Sequence, residues 1–289
     1  MTAPTALAAP PADLGSGTVT QVSVIRSEWI KQRSLRSTWY SLLATVIMVV
    51  GLGTLFSALR AHRFNQDAGN VRFGPGPGAS RAIEKIGLDP TLVSLRGVFL
   101  AQLAIGVLGV LVITGEYSTG MIRSSITAVP HRHPILIAKA LVFGVTALIL
   151  TELAAFAAFL LGQLAFKSTH LQASLSTHDA ARAIIGAGLY LTLIGLLAVG
   201  LGFLIRNTAG AIAAVFGIVL VLPLLANALP TPYSTDVSKY LPLNAGTQIL
   251  MTGNFDSSQL SPWAGLSITA LYALAALVTG AIVLKRRDA

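Results

Sequence analysis

The chain has 289 residues, no Cys, 54% hydrophobic residues, only 11% charged residues and a formal net charge of +9, with a mean hydropathy of +0.73. An ordinary soluble domain carries roughly 25% charged residues, so this chain cannot cover a water-facing surface, and it is too apolar to be disordered. The missing Cys excludes disulfides, Cys-ligated zinc and thiol nucleophiles, and the basic excess lies in loops and termini, where it suits anionic lipid headgroups; no nucleic-acid motif is present.

Residues 1–18 are mostly Ala, Pro, Gly and Thr, without a basic start followed by an apolar run. They read as a flexible tail and not as a signal peptide. Residues 19–37, VTQVSVIRSEWIKQRSLRS, predict an amphipathic helix. Val22, Ile25 and Trp29 fall on one helical face, and Arg26, Lys31, Arg33 and Arg36 add cations. Such a helix suits the headgroup boundary, lying in the membrane plane. A plain basic anchor that only sets topology is the alternative.

A helix that crosses a bilayer needs about 20 apolar residues. Six runs qualify, at about 39–59, 94–114, 137–161, 183–205, 209–229 and 263–284. They are apolar all round and lack the alternation of barrel strands, so an all-α membrane protein with six transmembrane helices is expected. The longest loops, about 60–93 and 230–262, hold too little core for a soluble domain. Residues 19–287 therefore read as one transmembrane domain, followed by a two-residue tail at 288–289. Six spans put both termini on one side. Eleven Lys and Arg lie on that side, including Arg26, Lys31, Arg33, Arg36 and Lys285–Arg287, against nine on the other. Basic clusters against the first and last spans favour cytoplasmic termini.

The loop after the second span, GEYSTGMIRSSITAVPHRHPI, places Met121, Ile122 and Ile126 beside Glu116 and Arg123. A short amphipathic helix capped by Ser118 or Thr119, and ended by Pro130 and Pro134, has the shape to plug a groove on another protein. A solvated turn is the alternative. His131 and His133 lack the third ligand that a metal site needs, so no metal is expected. In the third span stands one acid, Glu152. An acid at that depth is costly and should face protein or water, which makes Glu152 a candidate for a transport path or an interface, with a plain interhelical hydrogen bond as the alternative.

The stretch RSEWIKQRSLRSTW before the first span and LGVLVITGEYSTGMIRSSITAVP after the second carry a family resemblance. IAKALVFG, GLGFLIRNTAGAIA and YLPLNAGTQIL follow in the same order. Together these blocks resemble the permease subunit of type-2 ABC transporters, in particular the small six-span permeases of actinobacteria, over roughly residues 20–287. The resemblance implies an export permease in the bacterial plasma membrane that pairs with a second copy as a homodimer. It also implies a separate cytosolic ATPase partner. That ATPase would dock on an N-terminal elbow helix (Val22, Ile25, Arg26, Trp29, Lys31, Arg33) and on a coupling element formed by Glu116, Tyr117, Ser118, Thr119, Gly120, Met121, Ile122 and Arg123. Short re-entrant helices are implied within 230–262.

This chain has no G-x-x-x-x-G-K-[ST] phosphate loop. No cofactor or catalytic residue is therefore expected on it, and ATP and Mg belong to the partner. A gradient-driven secondary transporter is the first alternative, although no internal repeat is visible. A non-transporting membrane anchor for a cytosolic complex is the second.

Overall fold

The structure is a computed structural model that describes residues 20–70, 89–121, 133–169, 171–177, 179–253 and 258–286. It is all-helical, with no strand among the described residues. Six helical stretches are long and apolar enough to cross a membrane: Thr38–Gln66, Pro90–Ser118, Pro134–Ala165, Ala180–Ile205, Thr208–Asn227 and Pro262–Arg286. The chain is thus a multi-pass membrane protein built from the expected number of spans. Five of the six helices extend a few residues beyond the expected runs at one or both ends, as a helix can continue past the hydrocarbon edge, and the fifth ends at Asn227, just short of 229. The first continues as far as Asn70.

Before the spans comes α1 (Gln21–Ser34), with Thr20 accepting from the Ser23 amide at its N-cap. The first span joins α2 (Arg36–Ile47) to α3 (Gly53–Asn70) through a π turn at Met48–Leu52. The second joins the short α4 (Pro90–Ser94) to α5 (Val98–Ser118). Asp89 caps α4, accepting from the Thr91 and Leu92 amides, and its other oxygen accepts from the Thr252 hydroxyl. The third span is α6 (His133–Ala165) and the fourth is α7 (Ala180–Ile205). The fifth joins α8 (Thr208–Phe216) to α9 (Leu222–Asn227) through a second π turn, Gly217–Val221. Two short helices, α10 (Tyr233–Ser238) and α11 (Pro242–Thr247), precede the sixth span, α12 (Pro262–Arg286).

The fourth span is the axis of the bundle. It packs against the second, third and sixth. In its most apolar stretch 72% of residues are buried, against 28% in the first, fifth and sixth. Those three outer spans therefore present most of their apolar side chains to lipid or to another chain. The core between them includes Ile105, Phe143, Tyr190, Ile194 and Phe203. Tyr190 keeps its hydroxyl satisfied by donating to Gln102 Oε1 at 2.5 Å, as a buried phenol must. In the 230–262 region, α11 is buried at Pro242, Ala245, Gly246 and Thr247. It is pinned by the Thr269 hydroxyl, which donates to the Pro242 carbonyl at 3.4 Å.

Helices approach this closely only where side chains are small. Gly200 marks the tightest crossing of α7 and α12: a Cβ there would lie 2.5 Å from the Ala276 carbonyl carbon and 2.6 Å from the Leu277 nitrogen. Backbone cannot yield as a side chain can. Gly115, near the end of α5, has nothing within 4 Å of its Cβ position. Gly200→Ala is expected to destabilise the folded chain by about 1–3 kcal/mol, the usual cost of overpacking. Gly115→Ala should be neutral or slightly stabilising. Thermal unfolding of the two variants in the same detergent checks the contrast.

Candidate functional site

The described docking and elbow residues singled out from sequence belong to the end of the bundle where α1 lies. Four charged side chains meet there. Lys139, near the start of α6, places its ammonium 2.5 Å from Glu28 Oε2 and 2.6 Å from Glu116 Oε1. Lys31 reaches the same two acids, at 2.9 Å to Glu28 Oε1 and 3.4 Å to Glu116 Oε1. Two cations and two anions cancel. Glu28, Glu116 and Lys139 are each no more than 5% exposed, so the pairs are held in a low-dielectric setting where attraction and desolvation are both large. Beside them is a cavity of about 20 Å³, bordered by Gln32, Thr38 and Val142 among others. A space of that size admits one water. Glu116 Oε2 and Gln32 Nε2 are buried near it with no protein partner among the described residues.

The cluster explains how α1 sits. Val22, Ile25 and Trp29 do share a face, but it points away from the bundle: Val22 and Trp29 are exposed and Ile25 is partly so. The inward face is Val24, Glu28 and Gln32. Its spacing of four keeps these three on one side, and its centre is a carboxylate aimed at Lys139. Exposed Ile30, Arg26 and Arg33 extend the outward face, so apolar and basic groups lie together on the side that a membrane surface would meet. Gln21 fixes the beginning of the helix by donating to the Pro134 carbonyl at 3.1 Å.

The stretch expected to dock divides in two. Glu116 is turned inward and held by both lysines, so it supports the surface from within. Tyr117 is half-buried, and the Arg206 guanidinium stands 5.3 Å from its ring centre, within cation–π range. Ser118, Thr119, Gly120 and Met121 are exposed. Ser118 and Thr119 were expected to cap a following helix. Their hydroxyls donate backward to the Gly115 carbonyl, at 3.0 and 2.9 Å, and Thr119 is the C-cap of α5; the stretch they were expected to cap continues outside the described residues. Gly120 then turns the chain with a φ of +74°, a conformation that favours Gly. Ile122 and Arg123 lie outside the described residues, as do Ile126 and His131.

Further contacts converge on the same segment. Arg206, in the turn between the fourth and fifth spans, also donates to the Val283 carbonyl of α12 at 3.3 Å. Thr208, at the start of α8, donates to the Thr114 hydroxyl at 2.9 Å. Residues 114–117 are thereby tied to α1, α6, the turn after α7, and α8. Glu28 and Thr208 had no assigned role in the sequence reading, and Lys139 and Arg206 entered it only as charges counted toward topology. The signal available was charge: Glu28 is the one acid in 19–37, and Lys139 interrupts an apolar run.

Glu152 lies half-buried in the middle of α6. Its carboxyl carbon rests against α7 at Gly188, where a Cβ would come within 2.4 Å of it. Next to it Thr151 donates to the Gly188 carbonyl at 3.1 Å and lies 3.3 Å from the Thr192 hydroxyl. The neighbouring Ile149, Leu153 and Phe156 are exposed. Glu152 thus stands at the edge of the α6–α7 seam, beside an apolar surface that faces outward.

No protein-family model matches this chain, and the comparison with curated proteins finds no match either.

Removing one partner of a buried ion pair strands the others. Lys139→Met leaves Glu28 and Glu116 facing each other and is expected to cost about 3–5 kcal/mol, measurable as a large fall in thermal midpoint. Lys31→Met should cost much less, since the Lys31 side chain is 31% exposed and solvent screens its pairs. The two lysines also differ in how pH tests them. Partial burial works against the Lys31 charge, but the hydrogen bond and charge of Glu28 and the charge of Glu116 outweigh it, so its pKa lies above 10.5. A raised native pKa adds stability that is fully present below 10.5 and is lost as pH rises through the native value. Unfolding midpoints followed from pH 9 upward (roughly the range that brackets a lysine pKa) should fall less steeply in Lys31→Met than in the unmodified chain.

Proposed function

We propose that the chain is the membrane permease subunit of an ATP-driven exporter in a bacterial plasma membrane. It works as a homodimer, with a separate cytosolic ATPase and with both termini facing the cytosol. The observation that supports this reading best is the convergence on residues 114–117. A partner that pushes on the exposed Ser118–Met121 edge moves a segment already joined to α1 through Glu28, to α6 through Lys139 and to the turn after α7 through Arg206. Force delivered at one small surface would reach the ends of several spans together. Coupling of an external motor to a bundle requires such a connected element with more than one arrangement. In this reading α1 is the elbow helix, resting its Trp29 and Arg33 face on the lipid boundary while Glu28 ties it to the bundle. ATP hydrolysis takes place on the partner.

Glu152 favours a second reading. An intramembrane acid without an ion-pair partner among the described residues is the kind of group that a gradient-driven carrier uses. In the exporter reading it borders the transport path or the interface with the second copy.

Purification from native membranes through a tag on this chain separates the two. The exporter reading expects a stoichiometric nucleotide-binding subunit with vanadate-sensitive ATP hydrolysis. Recovery of the permease chain alone, with transport driven by a proton or sodium gradient, overturns it. Met121 is 40% exposed, so Met121→Asp leaves the core untouched, and it is expected to release most of the ATPase while the permease stays folded in the membrane. ATPase recovery equal to that of the unmodified chain would show that docking occurs elsewhere.

A further inference from the structure

The end of the bundle opposite the ion-pair cluster carries charge of a different kind. A cavity of about 260 Å³ is lined there by Phe56, Leu59, Arg60, Arg63 and Arg96. A second cavity, of about 420 Å³, is lined by Phe56, Leu92, Arg96, Phe99, Leu100 and Met251. The two share Phe56 and Arg96, so they meet along one edge between the first and second spans.

Three guanidinium groups border the first cavity, and no carboxylate does among the described residues. None of the ion pairs among the described residues involves Arg60, Arg63 or Arg96. Arg60 Nε is shut away from solvent with no hydrogen-bond partner among the described residues. A guanidinium cannot shed its proton in a protein. Three such charges around one concave wall therefore repel one another, and the enclosed Nε carries an uncompensated desolvation cost. An anion seated among them relieves both penalties. The planar fork of donors on Arg matches the oxygens of a phosphate group and binds two of them at once.

The second cavity says what is attached to that anion. Its walls are apolar apart from Arg96, and Phe99 and Leu100 are exposed side chains within a membrane-spanning helix. Arg60 and Arg63 lie in the last turns of the first span and Arg96 in the early turns of the second. The cations are thus at the level where headgroups lie, and the apolar groove continues from them along the second span. Basic pockets between transmembrane helices hold anionic lipid headgroups in this way.

We propose that this groove binds one anionic phospholipid, with its phosphate among Arg60, Arg63 and Arg96 and an acyl chain along Leu92, Phe99, Leu100 and Met251. The site does not depend on the permease reading. In the topology proposed above these arginines lie on the outer side, against the charge bias of cytoplasmic termini, and the site gives them a local role.

The test uses the full chain in a neutral detergent, titrated separately with phosphatidylglycerol, phosphatidylcholine and inorganic phosphate, with bound molecules counted by native mass spectrometry. The expected result is one saturable phosphatidylglycerol per chain, held more tightly than phosphatidylcholine or phosphate. Arg63 and Arg96 are exposed, so Arg63→Gln and Arg96→Gln should fold normally, and each is expected to weaken that binding by about tenfold, the worth of one charge-assisted hydrogen bond. Arg60→Gln should weaken it at least as much, with partial recovery in Arg60→Lys. Unchanged affinity in the Arg63 and Arg96 variants overturns the site. Inorganic phosphate that binds as tightly as the lipid overturns the lipid assignment, since the groove would then contribute nothing.

Discussion

Lys139 keeps its charge out of water only because Glu28 and Glu116 approach it from two different elements, at 2.5 and 2.6 Å. Each acid is in turn shared with Lys31. Remove any one and the others are left with a desolvation cost that nothing offsets. The value of the arrangement is not chiefly stability, because well-packed apolar residues in its place are often as stable. Its value lies in position. A hydrophobic face lets α1 slide or rotate against the bundle at little cost. A carboxylate that must find Lys139 does not. The cluster sets the register of α1, turns Val22 and Trp29 outward, and holds the end of α5 where the exposed Ser118–Met121 edge begins.

The two ends of the bundle treat charge in opposite ways. At the α1 end, two cations and two anions neutralise each other inside the protein, and Arg206 spends its charge on the Tyr117 ring and the Val283 carbonyl. The buried charges at that end are complete within the chain, while Arg26 and Arg33 stay exposed on the outer face of α1. At the far end Arg60, Arg63 and Arg96 gather around a cavity with no acid in its lining among the described residues. Charge that is complete within the chain fixes structure. Charge that is incomplete needs a ligand to complete it. The same residue types therefore carry different meanings at the two ends, and only their spatial neighbours tell them apart.

The six spans were legible from composition alone, because a run of about 20 apolar residues has few other fates. The helix α1 was legible too, but the face it turns to the bundle was not. Val22, Ile25 and Trp29 look like the face that a helix buries, and in a soluble protein they would be buried. Here the bundle offers α1 an ammonium, so the face carrying Val24, Glu28 and Gln32 turns inward. Nothing local to 19–37 carries that information, since it depends on Lys139, more than a hundred residues away. The arginine cavity was invisible for the same reason. Arg60, Arg63 and Arg96 entered the sequence reading only as charges counted toward topology, and their convergence needs the first and second spans to be adjacent.

Glu152 tests how far this logic of completed charge extends. Along an α-helix at 1.5 Å per residue, it lies about 20 Å from Lys139 on the same span, too far to pair with it. Its contact is with the backbone at Gly188, and the nearest hydroxyls, on Thr151 and Thr192, are engaged with that carbonyl and with each other. It borders exposed Leu153 and Phe156. An acid at that depth is costly unless it meets water or another polar group, and the described residues supply neither an ion pair nor a hydrogen bond to it. Under the function proposed above, the completing partner is a substrate in a path, a coupling ion, or a second copy laid against α6. Each of these makes the surface around Glu152 a working face of the protein, which sets it apart from the uniformly apolar faces of the outer spans.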